Sequence, residues 1–413
     1  MKINLLVMLV ACIASAVSVC ADFAIQDSDT VVFLGDSITA ARQYGKIIED
    51  YTLLRFPERK VKFINAGKGG ETAKGSLVRL DEAVFAQGAT LLTVAYGVND
   101  IGWGMKADAA HKKDYLDAID ELVERCKQHG VRVFICSAAI TAEEPDKAEK
   151  SFLQKMCDEG LALAKGKGVG AIDVQRTMRR VQRRVLAANA KQTDKLKWVK
   201  MHADDGIHLN DLGQMAMAFA ILKGLGAPAE VSSATIDTTG KVVASEGCHV
   251  TNILHEGDTL SFTRLDERLP LNLAPLWMLH GLYIPIGDEL NRYLMTVTGL
   301  SEGRYEVTAG GRSLGTWKAG DLNRGINIAS ATADPWQPGG PWDAQAQAIK
   351  VFTDMRDELV FARRGLSQYL PSHPLLSELR TKADEIEKSL VAFQKEIARP
   401  VPVRFVIRCS ADR

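Results

Sequence analysis

The hydrophobic pattern of this chain changes character near Pro228. Before it, short apolar runs alternate with longer stretches of helical periodicity. Val31-Val32-Phe33-Leu34 is the first run, broken by Gly35-Asp36 and followed by Ser37. Further strand-like runs occupy Val61–Asn65, Ala89–Tyr96, Val131–Cys136 and Val169–Val174. Helix-like stretches fall at Ala40–Arg55, Asp114–His129, Lys147–Lys165 and Asn210–Lys223. Strands that are apolar on both faces belong to parallel sheets with helices on either side. The alternation therefore predicts an α/β unit, closed by Gly224-Leu225-Gly226-Ala227-Pro228.

Beyond Pro228 the segments Thr259–Thr263, Tyr293–Thr298, Arg304–Ala309 and Ser313–Lys318 alternate between glycine-rich turns, which predicts antiparallel β-structure. From Trp342 the period lengthens. Ala348, Phe352, Met355, Leu359 and Ala362 form one helical stripe. Leu376, Leu379, Ala383, Ile386, Leu390, Phe393 and Ile397 form a second, with Gly365, Pro371 and Pro374 between the two. Such faces bury each other as an antiparallel hairpin or form a dimer seam. Val403, Phe405, Ile407 and Cys409 then alternate with Arg404, Val406 and Arg408 as a closing strand. The expected division is a signal peptide at 1–21, an α/β unit at 22–228, a β-rich region at 229–340 and 401–413, and a helical hairpin at 341–400 inserted into it.

Composition narrows this picture without redirecting it. The 413 residues are 46% hydrophobic and 25% charged, with 51 basic and 51 acidic side chains. No overall field points to nucleic acid or an anionic membrane. Lys2, the apolar run Ile3–Val19 and the small residues of Val19-Cys20-Ala21 have the make-up of a signal peptide cleaved after Ala21, so a secreted or periplasmic location is expected. Leu9-Val10-Ala11-Cys12 offers a lipoprotein site as the lesser alternative, and no later run suits a transmembrane anchor. Cys126, Cys136, Cys157, Cys248 and Cys409 follow that segment. The first three fall on buried-type positions, whereas Cys248 and Cys409 are candidates for a disulfide. No spacing resembles a zinc or other metal site, and no cofactor motif is present.

Four stretches carry chemistry. Ser37 follows a strand and precedes a helix, where it either caps that helix or faces a ligand at the sheet's carboxyl edge. Asn65-Ala66-Gly67-Lys68-Gly69-Gly70-Glu71-Thr72 follows the second strand. It lacks the phosphate-loop spacing and reads as a tight turn or a close backbone approach to a ligand. Gly97-Val98-Asn99-Asp100 follows the third strand and supplies an amide that can donate to an oxyanion, or simply a turn. Asp205-Gly206-Ile207-His208 sets a carboxylate three residues before a histidine, across a turn that Gly206 permits. That spacing lets the carboxylate fix the imidazole's tautomer, as a serine-activating base requires. His202 beside Asp204 is the rival histidine.

Together, and in this order, the four stretches resemble the blocks of the SGNH, or GDSL-type, hydrolase family across Asp29–Pro228. The resemblance implies a flavodoxin-like three-layer fold with a five-stranded parallel sheet. It also implies Ser37 as nucleophile, His208 as base and Asp205 as its orienter. The oxyanion hole would combine the Ser37 and Gly70 N–H groups with the Asn99 side chain, and the first block reads Gly-Asp-Ser-Ile where the family often has leucine. Asp36, Asp100 and Trp103 are candidates to touch substrate, Trp103 by stacking on a sugar face. The β-rich half loosely resembles extensions on secreted SGNH proteins of polysaccharide-degrading bacteria, at Gly320-Asp321-Leu322-Asn323-Arg324-Gly325-Ile326-Asn327 most of all.

The expected activity is therefore hydrolysis of an O-acyl, most simply O-acetyl, ester on a carbohydrate. A lysophospholipase or thioesterase of the same family is one alternative, and a non-catalytic carbohydrate-binding protein is another. Arg176, Arg179, Arg180, Arg183 and Arg184 share one helical face, opposite Val174, Met178, Val181 and Val185. They form either a solvated face or a dock for an anionic polysaccharide.

Overall fold

The first strand, β1 (Thr30–Gly35), lies between β2 (Lys62–Gly67) and β3 (Leu91–Ala95), and the sheet continues through β4 (Arg132–Cys136) and β5 (Gly170–Ile172). All four pairings are parallel. These come from a computed structural model that describes residues 23–272, 276–334 and 336–410, the backbone alone at 276–278. The expected signal peptide lies outside the described residues.

Helices α1 (Ser37–Ala40), α2 (Gln43–Arg55), α3 (Ala109–Gln128), α4 (Phe152–Gly166), α5 (Val174–Asn189) and α6 (Asp211–Gly224) connect and follow these strands. Alternate strand residues enter two cores. Val31 and Phe33 face α2, α5 and α6, while Val32 and Leu34 face α3 and α4. This is the flavodoxin-like fold that the sequence implied. The chain leaves β1 toward β2 and then returns to β1's other side as β3, so the strand order reverses there. Such a reversal opens a crevice at the strands' carboxyl ends. Register brings those ends level, with Gly35 opposite both Gly67 and Ala95. A Cβ on Gly67 would lie 2.2 Å from the Ala40 nitrogen, so α1 sits close over this edge only because that position is bare.

The C-terminal half contains two further sheets. One is ordered β13-β10-β6-β7, using β6 (Glu230–Asp237), β7 (Lys241–Glu246), β10 (Arg292–Thr298) and β13 (Ile326–Asn327). The other is ordered β12-β11-β14-β9-β8, using β8 (Cys248–Glu256), β9 (Thr259–Asp266), β11 (Arg304–Ala309), β12 (Arg312–Lys318) and β14 (Val403–Cys409). The antiparallel expectation needs one correction. β10 runs parallel to β6, because the chain passes through β7, β8 and β9 before returning to pair with it. The closing strand β14 is central, between β11 and β9.

That centrality separates Cys248 from Cys409. Cys248 pairs in register with Asp266 at one end of β9, while Cys409 follows Arg408, which pairs with Thr259 at the other. About seven residues of strand, on the order of 20 Å, lie between them. Both are free thiols, and Cys248 Sγ donates to the Ser233 carbonyl at 3.2 Å.

The hairpin consists of α7 (Pro341–Tyr369) and α8 (Leu376–Ile397). The expected stripes do meet, with Leu376, Ala383 and Leu390 of α8 buried and Phe352 stacked on Phe393 at 6.1 Å, but the buried line of α7 is turned from its expected stripe. The buried line of α7 is Trp342, Ala346, Ile349 and Thr353, whereas Met355 is exposed, as are Leu379, Ile386 and Phe393 of α8. The reason is that α7 also packs on α2. The Thr353 hydroxyl donates to Asp50, Lys46 pairs with Asp354 at 2.7 Å, and Arg42 pairs with Asp357.

The two halves share one core, which runs from Phe23 through α2 and α6 to Phe405 and Ile407. Arg55, at the end of α2, is fully buried and donates to the carbonyls of Ala229, Glu230 and Leu290. No helix among the described residues is long and apolar enough to cross a membrane.

Candidate active site

Ser37 begins α1, but it is not the cap. Asp36 holds the cap position and its Oδ1 accepts from the Ile38 N–H at 2.9 Å. The Ser37 hydroxyl is thereby left to interact across the crevice, where its Oγ lies 2.9 Å from His208 Nε2. On the other side of the ring, Nδ1 lies 2.5 Å from Asp205 Oδ2. Asp205 Oδ1 accepts from the Ile207 and His208 N–H groups, both at 2.9 Å, around a turn in which Gly206 has φ +70°. The bond to the His208 ring, followed by those backbone donors, holds the Asp205 carboxyl down at about 2. It is thus a carboxylate across the neutral range, suited to orient an imidazole and balance a positive charge on it.

His202, the rival, is buried and directed elsewhere. Its Nε2 contacts the Ile140 carbonyl at 3.0 Å, and burial lowers its pKa. Together with the Ala203 N–H bonded to the His208 carbonyl at 2.8 Å, it fastens the loop that presents His208.

Gly70 and Asn99 reach the same crevice from the ends of β2 and β3. Gly70 has φ +72°, with open space where a side chain would be. Asn99 Nδ2 donates to the Glu71 carbonyl at 3.1 Å, and Trp103 Nε1 donates to Asn99 Oδ1 at 2.9 Å. Among the described residues, the N–H groups of Ser37 and Gly70 find no protein acceptor.

Asp36 and Asp100 are not positioned to meet substrate. They are only 5% and 6% exposed. Asp36 caps α1, while Asp100 Oδ1 accepts from the Ala73 N–H at 2.9 Å and fastens the glycine-rich loop to the end of β3. Burial pushes both carboxyls up to about 6. Trp103 is half exposed beside the site, with its ring edge-to-face against His208 at 6.0 Å.

Sequence reasoning missed the anchor beneath the loop. Glu71 is buried, accepts from the Tyr96 hydroxyl at 2.6 Å, and pairs with Arg79, whose Nε lies 2.7 Å away. Arg79 also donates to the Ala66 carbonyl at 2.6 Å. The only available signal was a charged residue directly after a run of glycines. The arginine face of α5 is likewise committed internally. Arg176 pairs with Asp158 and Asp173, and Arg183 with Asp146 and Glu149. Arg179 is buried against the carbonyls of Thr141 and Glu143, and Arg184 donates to the Tyr283 carbonyl. Arg180 and Arg184 are exposed and carry no ion pair among the described residues, so the cationic face is narrower than the five arginines of the helical stripe.

An all-parallel sheet with a hydroxyl, imidazole and carboxylate in sequence at its switch point has the make-up of an esterase-type hydrolase. Residues 33–216 match the model of the GDSL-like Lipase/Acylhydrolase family. No curated relative matches the chain. Among solved structures, BT4096, a gut microbial diltiazem-metabolizing enzyme, is 24% identical with a TM-score of 0.78, over 94% of this chain and 98% of its own. The similarity therefore extends through the C-terminal half, as a likeness of fold. LAE5, an α/β hydrolase from the metagenome of Lake Arreo, Spain, is 22% identical with a TM-score of 0.42, over 49% of this chain and 98% of its own. Axe2, an acetylxylan esterase from Geobacillus stearothermophilus, is 20% identical with a TM-score of 0.41, over 49% of this chain and 96% of its own.

Proposed function

We propose that the protein is an exported serine esterase that removes O-acyl groups, most simply acetyl groups, from carbohydrate. The observation that carries the catalytic part is the Ser37–His208–Asp205 series, with links of 2.9 and 2.5 Å, at the sheet's switch point. In this reading His208 Nε2 takes the Ser37 proton as Oγ attacks the ester carbonyl. The N–H groups of Ser37 and Gly70 and the Asn99 amide receive the oxyanion. His208 then returns the proton to the leaving alcohol, leaving an acyl-Ser37 ester. Water, deprotonated by the same imidazole, hydrolyses it and releases the acid.

Support for a sugar alcohol is of another kind. The half-exposed indole of Trp103 beside His208 offers a broad apolar surface of the sort a pyranose face packs on. The signal-like N-terminus agrees with an extracellular polymer as substrate.

Rates on p-nitrophenyl acetate, octanoate and longer esters, with Ser37→Ala as control, test the reading. Acetyl preference and loss of at least about 1,000-fold in Ser37→Ala are expected. A long-chain preference would favour a lysophospholipase or thioesterase instead. Equal rates for wild type and Ser37→Ala would leave the carbohydrate-binding reading. Acetate release from acetylated polysaccharides then identifies the natural polymer.

A further inference from the structure

Trp103 pays a conformational cost that its packing does not explain. Its backbone is left-handed, with φ 58° and ψ 29°, a conformation unfavourable for a bulky side chain. Its side chain remains 50% exposed, so burial offers little compensation. The surrounding turn is nevertheless tightly closed. The Trp103 N–H donates to the Val98 carbonyl at 3.0 Å, Gly102 to Asn99 at 2.9 Å, and Lys106 to Ile101 at 2.9 Å. The turn thus folds back onto the segment that carries Asn99.

The indole shows what this arrangement achieves. Its Nε1–H donates to Asn99 Oδ1 at 2.9 Å, while Asn99 Nδ2 donates to the Glu71 carbonyl at 3.1 Å. A primary amide has one acceptor oxygen and two N–H groups. A half-turn of the Asn99 amide would set its oxygen against the Glu71 carbonyl and its NH2 against the indole N–H. Both contacts would then be repulsive. Trp103 and Glu71 therefore admit one orientation, in which one Nδ2–H is held by Glu71 and the other is left for a ligand. Glu71 is itself immobilised by Tyr96 and Arg79.

We propose that Trp103 is a positioning residue for the oxyanion site, its indole N–H fixing the Asn99 amide so that one N–H of Nδ2 faces the acyl oxygen. This inference rests on the esterase reading above. It also makes a kinetic distinction. A sugar platform strengthens substrate binding and acts on KM, whereas a donor aligned for a developing charge acts on kcat.

The test compares wild type, Trp103→Phe, Asn99→Ala, the double variant and Ser37→Ala on p-nitrophenyl acetate, with melting temperatures alongside. Phenylalanine keeps an aromatic ring and removes the N–H. Trp103→Phe is expected to lower kcat about 5- to 50-fold, with KM and melting temperature nearly unchanged, since loss of a whole donor costs about 100- to 1,000-fold. In the Asn99→Ala background, the same change should cost less than about twofold, because its target is gone. Equal losses in both backgrounds would overturn the proposal, and so would a rise in KM at constant kcat. A Ser37→Ala variant as active as wild type overturns the esterase reading and this inference with it. An inactive Ser37→Ala beside a fully active Trp103→Phe overturns the role of Trp103 alone.

Discussion

Replacing Asp100 with asparagine should help the protein at pH 7.5 more than at pH 4. Asp100 is 6% exposed; its Oδ1 has the Ala73 N–H, while its Oδ2 is buried without a hydrogen-bond partner among the described residues. Burial raises its pKa from 3.8 to about 6, and the neighbouring charge of Asp36 pushes in the same direction. The folded state therefore holds a proton that the unfolded chain has released between these two values. Stability falls as pH rises through that window, and above about pH 6 the full penalty of the buried charge is present. At about 1.4 kcal/mol for each tenfold in the proton equilibrium, the penalty approaches about 3 kcal/mol at pH 7.5 and is under about 1 kcal/mol at pH 4.

Asparagine can still accept from Ala73, but it places an unpaired NH2 where Oδ2 stood, at a cost of about 1–3 kcal/mol. That cost does not vary with pH, so the difference between the two conditions isolates the charge. Urea unfolding followed by tryptophan fluorescence should show the variant gaining about 2–3 kcal/mol on wild type between pH 4 and pH 7.5. A gap that stays constant within about 0.5 kcal/mol would refute the reasoning, because a carboxyl that titrates alike in both states cannot produce it. Asp36→Asn should behave similarly, and the double variant should gain less than the sum, since the Asp36 charge contributes to the raised pKa of Asp100.

Arg55→Met should destabilise the protein by about 3–5 kcal/mol in the same assay, because it leaves the buried carbonyls of Ala229, Glu230 and Leu290 without their donor. Thiol titration in denaturant without reductant should return Cys126, Cys136, Cys157, Cys248 and Cys409 all as free thiols, and dithiothreitol should not move the melting temperature. A lower thiol count would show that the β-rich half adopts another strand arrangement.

What was legible in the sequence was local. The apolar runs defined the strands of the parallel sheet most sharply at its centre, where β1 and β3 are buried on both faces. Asp205 and His208 stood out because a carboxylate and an imidazole three residues apart can meet across a single turn. Ser37 left two readings open, since a serine after a strand suits either a cap or a ligand site. Its neighbour Asp36 took the cap, with a side chain equally able to accept the Ile38 N–H. The misreadings all depended on distant partners. Helical periodicity identified the polar face of α5, but not that Asp158, Asp146 and Glu149 would neutralise it. The stripes on α7 and α8 were real, but α2 competed with α8 for the same helix and turned it. Glu71, Tyr96 and Arg79 form one anchor from three separated segments, and no spacing rule links them.

The same long-range contacts determine how the C-terminal half bears on the site. Its helices and sheets make their closest polar contacts with α2, whose N-terminus follows α1 and therefore Ser37 almost directly. Arg55 fixes the far end of α2 to the β-rich region, and Leu54 accepts from the Leu269 N–H at 2.9 Å. Along its outer face, Asp50, Glu49 and Lys46 meet Thr353, Arg356 and Asp354 of α7. At its start, Arg42 has a left-handed backbone with φ 70° and is paired with Asp357. A helix held at both ends and along one side has little freedom to tilt, and its inner face already packs on Phe33 through Tyr44. Ser37 is thereby referenced to both halves of the molecule, while His208 is held by His202, Ala142 and the end of β4. The distance between hydroxyl and imidazole is thus set by two supports that meet where Gln214 of α6 bonds the Tyr44 N–H and the Ile38 carbonyl, and the C-terminal half braces the first of them.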